Sequence, residues 1–203
     1  MTIRHWVRMT PQMLARDGQE QPFDGTLAGL YRMLETGYPK FFKMDVLCKA
    51  GFLATECLLA DESGRFVPRE DRAVLLFSRS GCLCDDRHYA DSMADYPSPA
   101  LFVYTLANVV TGELCIRNRY QGESAAFLLP GFDTETLCAT VEDCFRDRDT
   151  RSALVLWADC PDEQHFDVLA LLAENGQNNM NKQSINDLYE YGRIQADPQT
   201  AVD

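Results

Sequence analysis

Residues 73–77 read Ala-Val-Leu-Leu-Phe, apolar at every position, and unbroken apolar runs return at 125–129 and 153–157. Runs this short, bounded by Ser, Gly, Pro or charge, predict strands buried on both faces. Ile3, Val7 and Met9 alternate, interrupted by His5, ahead of Thr10-Pro11, which predicts a first strand ending in a turn. Phe166 to Ala173 is apolar enough for a returning strand or a short helix, and the strand is preferred. Residues 16–26, with Asp17-Gly18 and Asp24-Gly25, read as a loop.

Helical spacing appears in three places. Met44, Leu47, Cys48, Gly51, Ala54 and Leu58 recur three and four apart, predicting an amphipathic helix in which Gly51 permits close packing. Ser98-Pro99 suits a helix start, and a stronger helix spans Asn108 to Arg119 with Val109, Gly112, Ile116 and Tyr120 on one face. Asp133 caps a third, striped by Leu137, Val141, Cys144 and Phe145. The sum is an α/β domain with a mixed five-stranded sheet over residues 1–174. Residues 175–203, rich in Asn, Gln, Asp and Tyr, read as a polar C-terminal tail with a helical turn around Ile185 to Tyr191.

Composition narrows the function. The 203 residues carry 31 acidic against 19 basic side chains, a net charge of −12. Nucleic acid and anionic membranes bind through clustered Lys and Arg, so neither is an expected partner. The first residues, Met1 to Arg8, lack the apolar core of a signal peptide, and no apolar run is long enough to span a bilayer, so the expected location is the cytoplasm. In that compartment the eight cysteines read as reduced core residues.

Candidate chemistry is sparse. Cys82, Cys84 and His88 do not have the ligand spacing of a common zinc site, and read as loop cysteines beside an exposed histidine. His5, His88 and His165 stand in no nucleophile motif. Ser78-Arg79-Ser80-Gly81 lacks the residues of a phosphate loop. No cofactor or metal is called for. Pro130-Gly131-Phe132-Asp133-Thr134 is the informative stretch, because a buried strand turns there directly into a helix, the geometry that exposes a nucleophile. No Ser or Cys stands at that corner, and Thr134 reads as a helix-start residue.

Pro99, Phe102, Thr105, Asn108, Gly112, Ile116 and Arg117, followed by Gln121-Gly122-Glu123-Ser124, resemble the segment that leads into the nucleophile strand of β-ketoacyl synthases. Lys43-Met44-Asp45 at the first helix and the strand from Arg72 to Phe77 fall in the same order. The resemblance covers roughly residues 40–160 and implies a thiolase-like N-terminal half-domain. A family nucleophile would fall at Gly131 or near Thr134, and neither is Cys. The family's catalytic histidines belong to a second half-domain outside this sequence, so no catalytic residue transfers.

The resemblance implies a catalytically silent subunit, a homodimer or a heterodimer with a ketosynthase, in fatty-acid or polyketide-type biosynthesis. Aryl-polyene or dialkylresorcinol pathways are the context it suggests. Thr105, Asn108, Gly112 and Ile116 would lie at the interface. Arg117 and Arg119, or Lys40, Lys43 and Lys49, could dock an acidic acyl carrier protein, unless they are solvated helix charges. Two other readings stay open. One is a module holding an acyl chain or aromatic metabolite between Phe102, Tyr104 and Phe132; the other is an independent enzyme using a thiol near Cys82, Cys84 and His88. The second would need a cleft joining that loop to the elbow and a thiol of depressed pKa.

Overall fold

A computed structural model of the chain describes residues 1–176 and 179–192. Among them seven strands form one sheet in the order β3-β2-β1-β7-β6-β4-β5. All five expected strands are present: β1 (Thr2–Thr10), β4 (Arg72–Ser78), β5 (Ser124–Leu128), β6 (Ser152–Asp159) and β7 (Asp167–Glu174). The last is a strand, as preferred. β4 runs parallel to β5 and β6, while β6, β7 and β1 pair antiparallel, so the sheet is mixed.

Two further strands enlarge the sheet within and beside the expected loop: β2 (Met13–Arg16) and β3 (Gln19–Glu20). Asp17 and Gly18 join them with φ of 51° and 81°. Two consecutive left-handed residues make the tight turn whose twist matches a hairpin.

Helices cover both faces. α2 (Val46–Leu58) lies on one face against Val74, Leu76, Leu154, Leu156 and Ala170, with α1 (Leu27–Leu34) and α5 (Val109–Asn118) beside it. Asp45 caps α2 by accepting from the Cys48 amide at 2.9 Å. An added Cβ on Gly51 would stand 2.9 Å from Val110 Cγ1, so this glycine sets the α2–α5 spacing, as expected. α5 turns differently from its predicted stripe: Val110, Leu114 and Asn118 face inward, while Ile116 is 65% exposed.

The other face holds Leu75, Phe77, Val155, Trp157, Leu169 and Leu171 under α6 (Thr134–Cys144) and α7 (Lys182–Glu190). α7 replaces the expected helical turn near Ile185. Asn181 and Ser184 form a reciprocal capping box, and Ile185 is fully buried. Buried Arg8 reaches across from β1, donating to the Tyr189 carbonyl at 2.8 Å and the Val168 carbonyl at 3.0 Å, with its guanidinium 4.9 Å from the Tyr189 ring centre. Residues 177–178 and 193–203 of the expected tail lie outside the described residues.

Candidate functional site

β5 ends at Leu128, and the Leu129 amide still donates to the Ser78 carbonyl of β4 at 2.9 Å. Pro130 and Gly131 then turn the chain into α6. Asp133 caps that helix, accepting from the Glu135 amide at 2.9 Å and the Thr136 hydroxyl at 2.6 Å. The Thr136 hydroxyl lowers the Asp133 pKa most, so this carboxylate is a cap held ionised. Thr134 is the first residue of α6, as expected of a helix-start residue. Gly131 is not left-handed, and no atom lies within 4 Å of where its Cβ would stand. The strand-to-helix turn is therefore formed, and residues 130–134 hold no Cys or Ser. The nearest cysteine in sequence, Cys138, is buried within α6, and burial raises its pKa.

A cavity of about 700 Å³ opens beside the elbow, at the carboxyl ends of β4, β5 and β6. Arg79, Phe132, Trp157 and Asp159 line it from those strands, the β1–β2 turn closes one side, and Tyr189 and Tyr191 close another. Phe132 stacks on Tyr189 at 3.7 Å and meets Trp157 edge-on at 5.4 Å. Asp159 accepts from the Ser80 amide at 2.7 Å, the Ser80 hydroxyl at 2.5 Å and Arg79 at 2.9 Å. Sequence reasoning missed the α7 side of this site. The available signal was Ile185 and Tyr189, four apart in a polar segment, which places both on one helical face.

The residues expected at an interface lie along the surface running from α4 (Pro99–Phe102) into α5. Asn108 and Ile116 are exposed, and Thr105 and Gly112 are half-buried. Thr105 donates from its hydroxyl to the Phe102 carbonyl at 2.8 Å, and its own carbonyl accepts from the Cys82 thiol at 2.8 Å. No atom lies within 4 Å of a Cβ on Gly112. Around these residues Phe102, Leu106 and Leu128 are 59%, 61% and 64% exposed. A Cβ placed on Gly81 would contact both Leu128, at 3.0 Å, and Ala107, at 3.8 Å, which puts the β5 end and the segment before α5 on one side. Among the described residues β5 is the terminal strand of the sheet, paired only with β4.

Several expectations are corrected. Cys82 to His88 is no loop: Cys82 precedes α3 (Leu83–Ser92), a helix the sequence pattern did not announce. Burial pushes the Cys82 thiol up to about 11 and raises Cys84 as well, the reverse of activated nucleophiles. Neither cysteine nor His88 lines the cavity beside the elbow. Among the described residues no cluster of three or more His, Cys, Asp or Glu side chains is placed to hold a metal ion, and no helix is long and apolar enough to cross a membrane. Phe102, Tyr104 and Phe132 do not converge: Phe102 is exposed, Tyr104 belongs to the α2-side core and Phe132 to the α6-side core. Arg117 is committed to buried Glu56 at 3.1 Å and to the Thr36 carbonyl at 3.1 Å, which leaves Arg119 as the exposed member of that pair.

No family model matches this chain, and no curated protein matches it. Among solved structures it is similar to a ketosynthase in complex with its chain length factor from Xenorhabdus doucetiae, with a TM-score of 0.59 and 15% identity over 94% of this chain and 91% of that one. It is also similar to the ishigamide ketosynthase/chain length factor, with a TM-score of 0.62 and 16% identity over 86% of this chain and 62% of that one. The fold is therefore the thiolase-like one of ketosynthase and chain length factor proteins, as the half-domain resemblance implies.

Proposed function

We propose that this chain is a catalytically silent, ketosynthase-like subunit that pairs with an active ketosynthase in polyketide-type or fatty-acid biosynthesis. What supports the reading is a strand-to-helix turn in which neither Gly131 nor Thr134, the positions where the resemblance would put the family nucleophile, is a cysteine. Without that sulfur no acyl-enzyme can form at the corner. A fold kept without its nucleophile is explained by a surface, and the terminal strand β5, with exposed Leu128 at its end and exposed Leu106 in the segment before α5, supplies one, continued along α5 by exposed Ile116. Thr105, Asn108, Gly112 and Ile116 are assigned to this contact. The matched chain from Xenorhabdus doucetiae spans almost the same length as this one, and its structure is of a ketosynthase with a second subunit, the chain length factor. That pairing supports the heterodimer over the homodimer.

The reading is tested by co-purification. A tagged ketosynthase from the same genome is expressed with wild-type chain, with Leu106→Glu and with Ile116→Glu. Both residues are more than half exposed, so the substitutions leave the isolated fold within about 0.5 kcal/mol of wild type. Retention of wild type and loss of both variants is the expected result. Equal retention of all three contradicts the assigned surface, and retention of none contradicts the partnership.

A further inference from the structure

Two carboxylates near the amino ends of α2 and α3 are buried beyond what their hydrogen bonds satisfy. Asp45 caps α2 through one oxygen, and its Oδ2 is buried with no hydrogen-bond partner among the described residues. Asp85, in the first turn of α3, is 4% exposed, and its Oδ2 is likewise buried and unpartnered among those residues. Burial, with the Asp85 charge adding to it, raises the Asp45 carboxyl to about 6, and burial raises Asp85 as well. A carboxylate deprived of water is costly in its charged form, and a like charge beside it adds to the cost. The surrounding groups do not cancel that cost. Lys49 lowers Asp45 by less than Asp85 raises it, while on α3 His88 lowers Asp85 and Asp86 raises it. Cys48 of α2, Cys82 and Cys84 at the start of α3, Tyr104 after α4 and Cys160 after β6 also feel the Asp45 charge. Burial raises each of these five, so they stay neutral.

The two helices are held very unequally. Every residue of α2 except Lys49 is buried, whereas α3 buries only Cys84 and Asp85. Beyond these, α3 is tied by the Cys82 thiol on the Thr105 carbonyl and by contacts with α4, among them Tyr89 against Phe102 at 5.5 Å. Relief of the two carboxylates therefore comes from movement of α3, because elements with few buried contacts open first. Opening returns both side chains to water. Asp45 keeps a proton up to about 6 with α3 docked and only to 3.8 in water, so its ionisation favours the open state. We propose that α3 is a pH-sensitive flap: it stays docked at the start of α2 while Asp45 carries a proton, and it opens more readily as that proton is lost. What the flap controls is the order of the segment that follows it, which carries exposed Tyr96, Phe102, Val103 and Leu106. The device needs only α2 and α3, and it holds whether or not the chain pairs with a ketosynthase.

Hydrogen exchange of the full chain read by mass spectrometry tests it, with labelling times scaled for the pH dependence of an unstructured amide. In wild type the open fraction of residues 83–92 should rise about tenfold between about pH 5 and about pH 7.5, as the docked and solvated Asp45 values require. At every pH α3 should exchange about tenfold or more faster than β6, which is buried at every position and opens only with the whole fold. Asp45→Asn cannot ionise and keeps the cap, so it should flatten the rise, while His88→Gln should keep it. The proposal is overturned if α3 protection in wild type does not change with pH, or if α3 exchanges only as fast as β6. It is overturned equally if Asp45→Asn keeps the full rise or if His88→Gln abolishes it. A flat wild-type profile decides against the flap even where a variant fails to fold.

Discussion

Gly51→Ala sets two effects of opposite sign against each other. Alanine in mid-helix is worth about 1 kcal/mol over glycine from propensity alone. In α2, however, the new methyl would sit 2.9 Å from Val110 Cγ1, well inside the roughly 3.5–4.0 Å optimum for two carbons. Val110 is 2% exposed and β-branched, so it has no free rotamer to retreat into. The helices must separate or strain, and overpacking of this kind costs about 1–3 kcal/mol. The balance is a loss of about 1 kcal/mol, read from urea denaturation followed by circular dichroism. Val110→Ala removes the obstructing methyl, so adding Gly51→Ala in that background should stabilise by about 1 kcal/mol, and the double-mutant cycle shows the coupling. A stabilising Gly51→Ala in the wild-type background, or zero coupling, refutes the reasoning. Gly112 in α5 has nothing within 4 Å of its Cβ, so Gly112→Ala should stabilise the isolated chain by about 0.5–1 kcal/mol.

Other consequences can be measured on the isolated chain. Burial raises the Asp45 carboxyl to about 6, and its Oδ2 is buried with no hydrogen-bond partner among the described residues. The folded state thus holds the proton more tightly than the unfolded one, and Asp45 contributes stability below pH 3.8 that is lost as pH rises through 6. Asp45→Asn keeps the cap, so the stability difference between variant and wild type should grow in the variant's favour over that window, by at most about 3 kcal/mol; a pH-independent difference counts against it. Ile185→Ala should cost about 2–4 kcal/mol, because Ile185 is fully buried under α7, and a change below about 0.5 kcal/mol would mean that α7 is not docked. All eight thiols have pKa values raised by burial, so native protein at neutral pH should react with iodoacetamide far more slowly than denatured protein, by mass spectrometry; one fast site at Cys82 or Cys84 would revive thiol chemistry.

Unbroken apolar runs made β4, β5 and β6 legible; β4 and β6 are buried at every position as expected, whereas β5, the terminal strand, is only half-buried and ends on exposed Leu128, because one of its edges has no strand beside it among the described residues. Gly51 was legible for a related reason: a glycine inside an otherwise apolar helix asks for a close neighbour, and Val110 is that neighbour. Short or polar elements were not. β2 and β3 are four and two residues long, and their hairpin was signalled only by Asp17-Gly18. α3 begins Leu-Cys-Asp-Asp-Arg-His, without an apolar stripe, and its start is held by the Cys82 thiol on the Thr105 carbonyl, 23 residues away. The turn from β5 into α6 was legible from Pro130-Gly131-Phe132-Asp133, but the cavity beside it was not, because part of its wall is Tyr189 of α7 and Tyr191 and Gly192 after it. That helix is docked through Arg8, a charged side chain 181 residues distant in sequence. Local patterns report local geometry, and this site is assembled by contacts between the two ends of the chain.

The central claim is a silent subunit that completes a ketosynthase, and size-exclusion chromatography with light scattering of the co-expressed pair tests it most directly. A stable one-to-one heterodimer is expected with wild-type chain and its loss with Gly112→Trp, which fills open space at the assigned surface. A monomer eluting apart from a ketosynthase that pairs only with itself would contradict it.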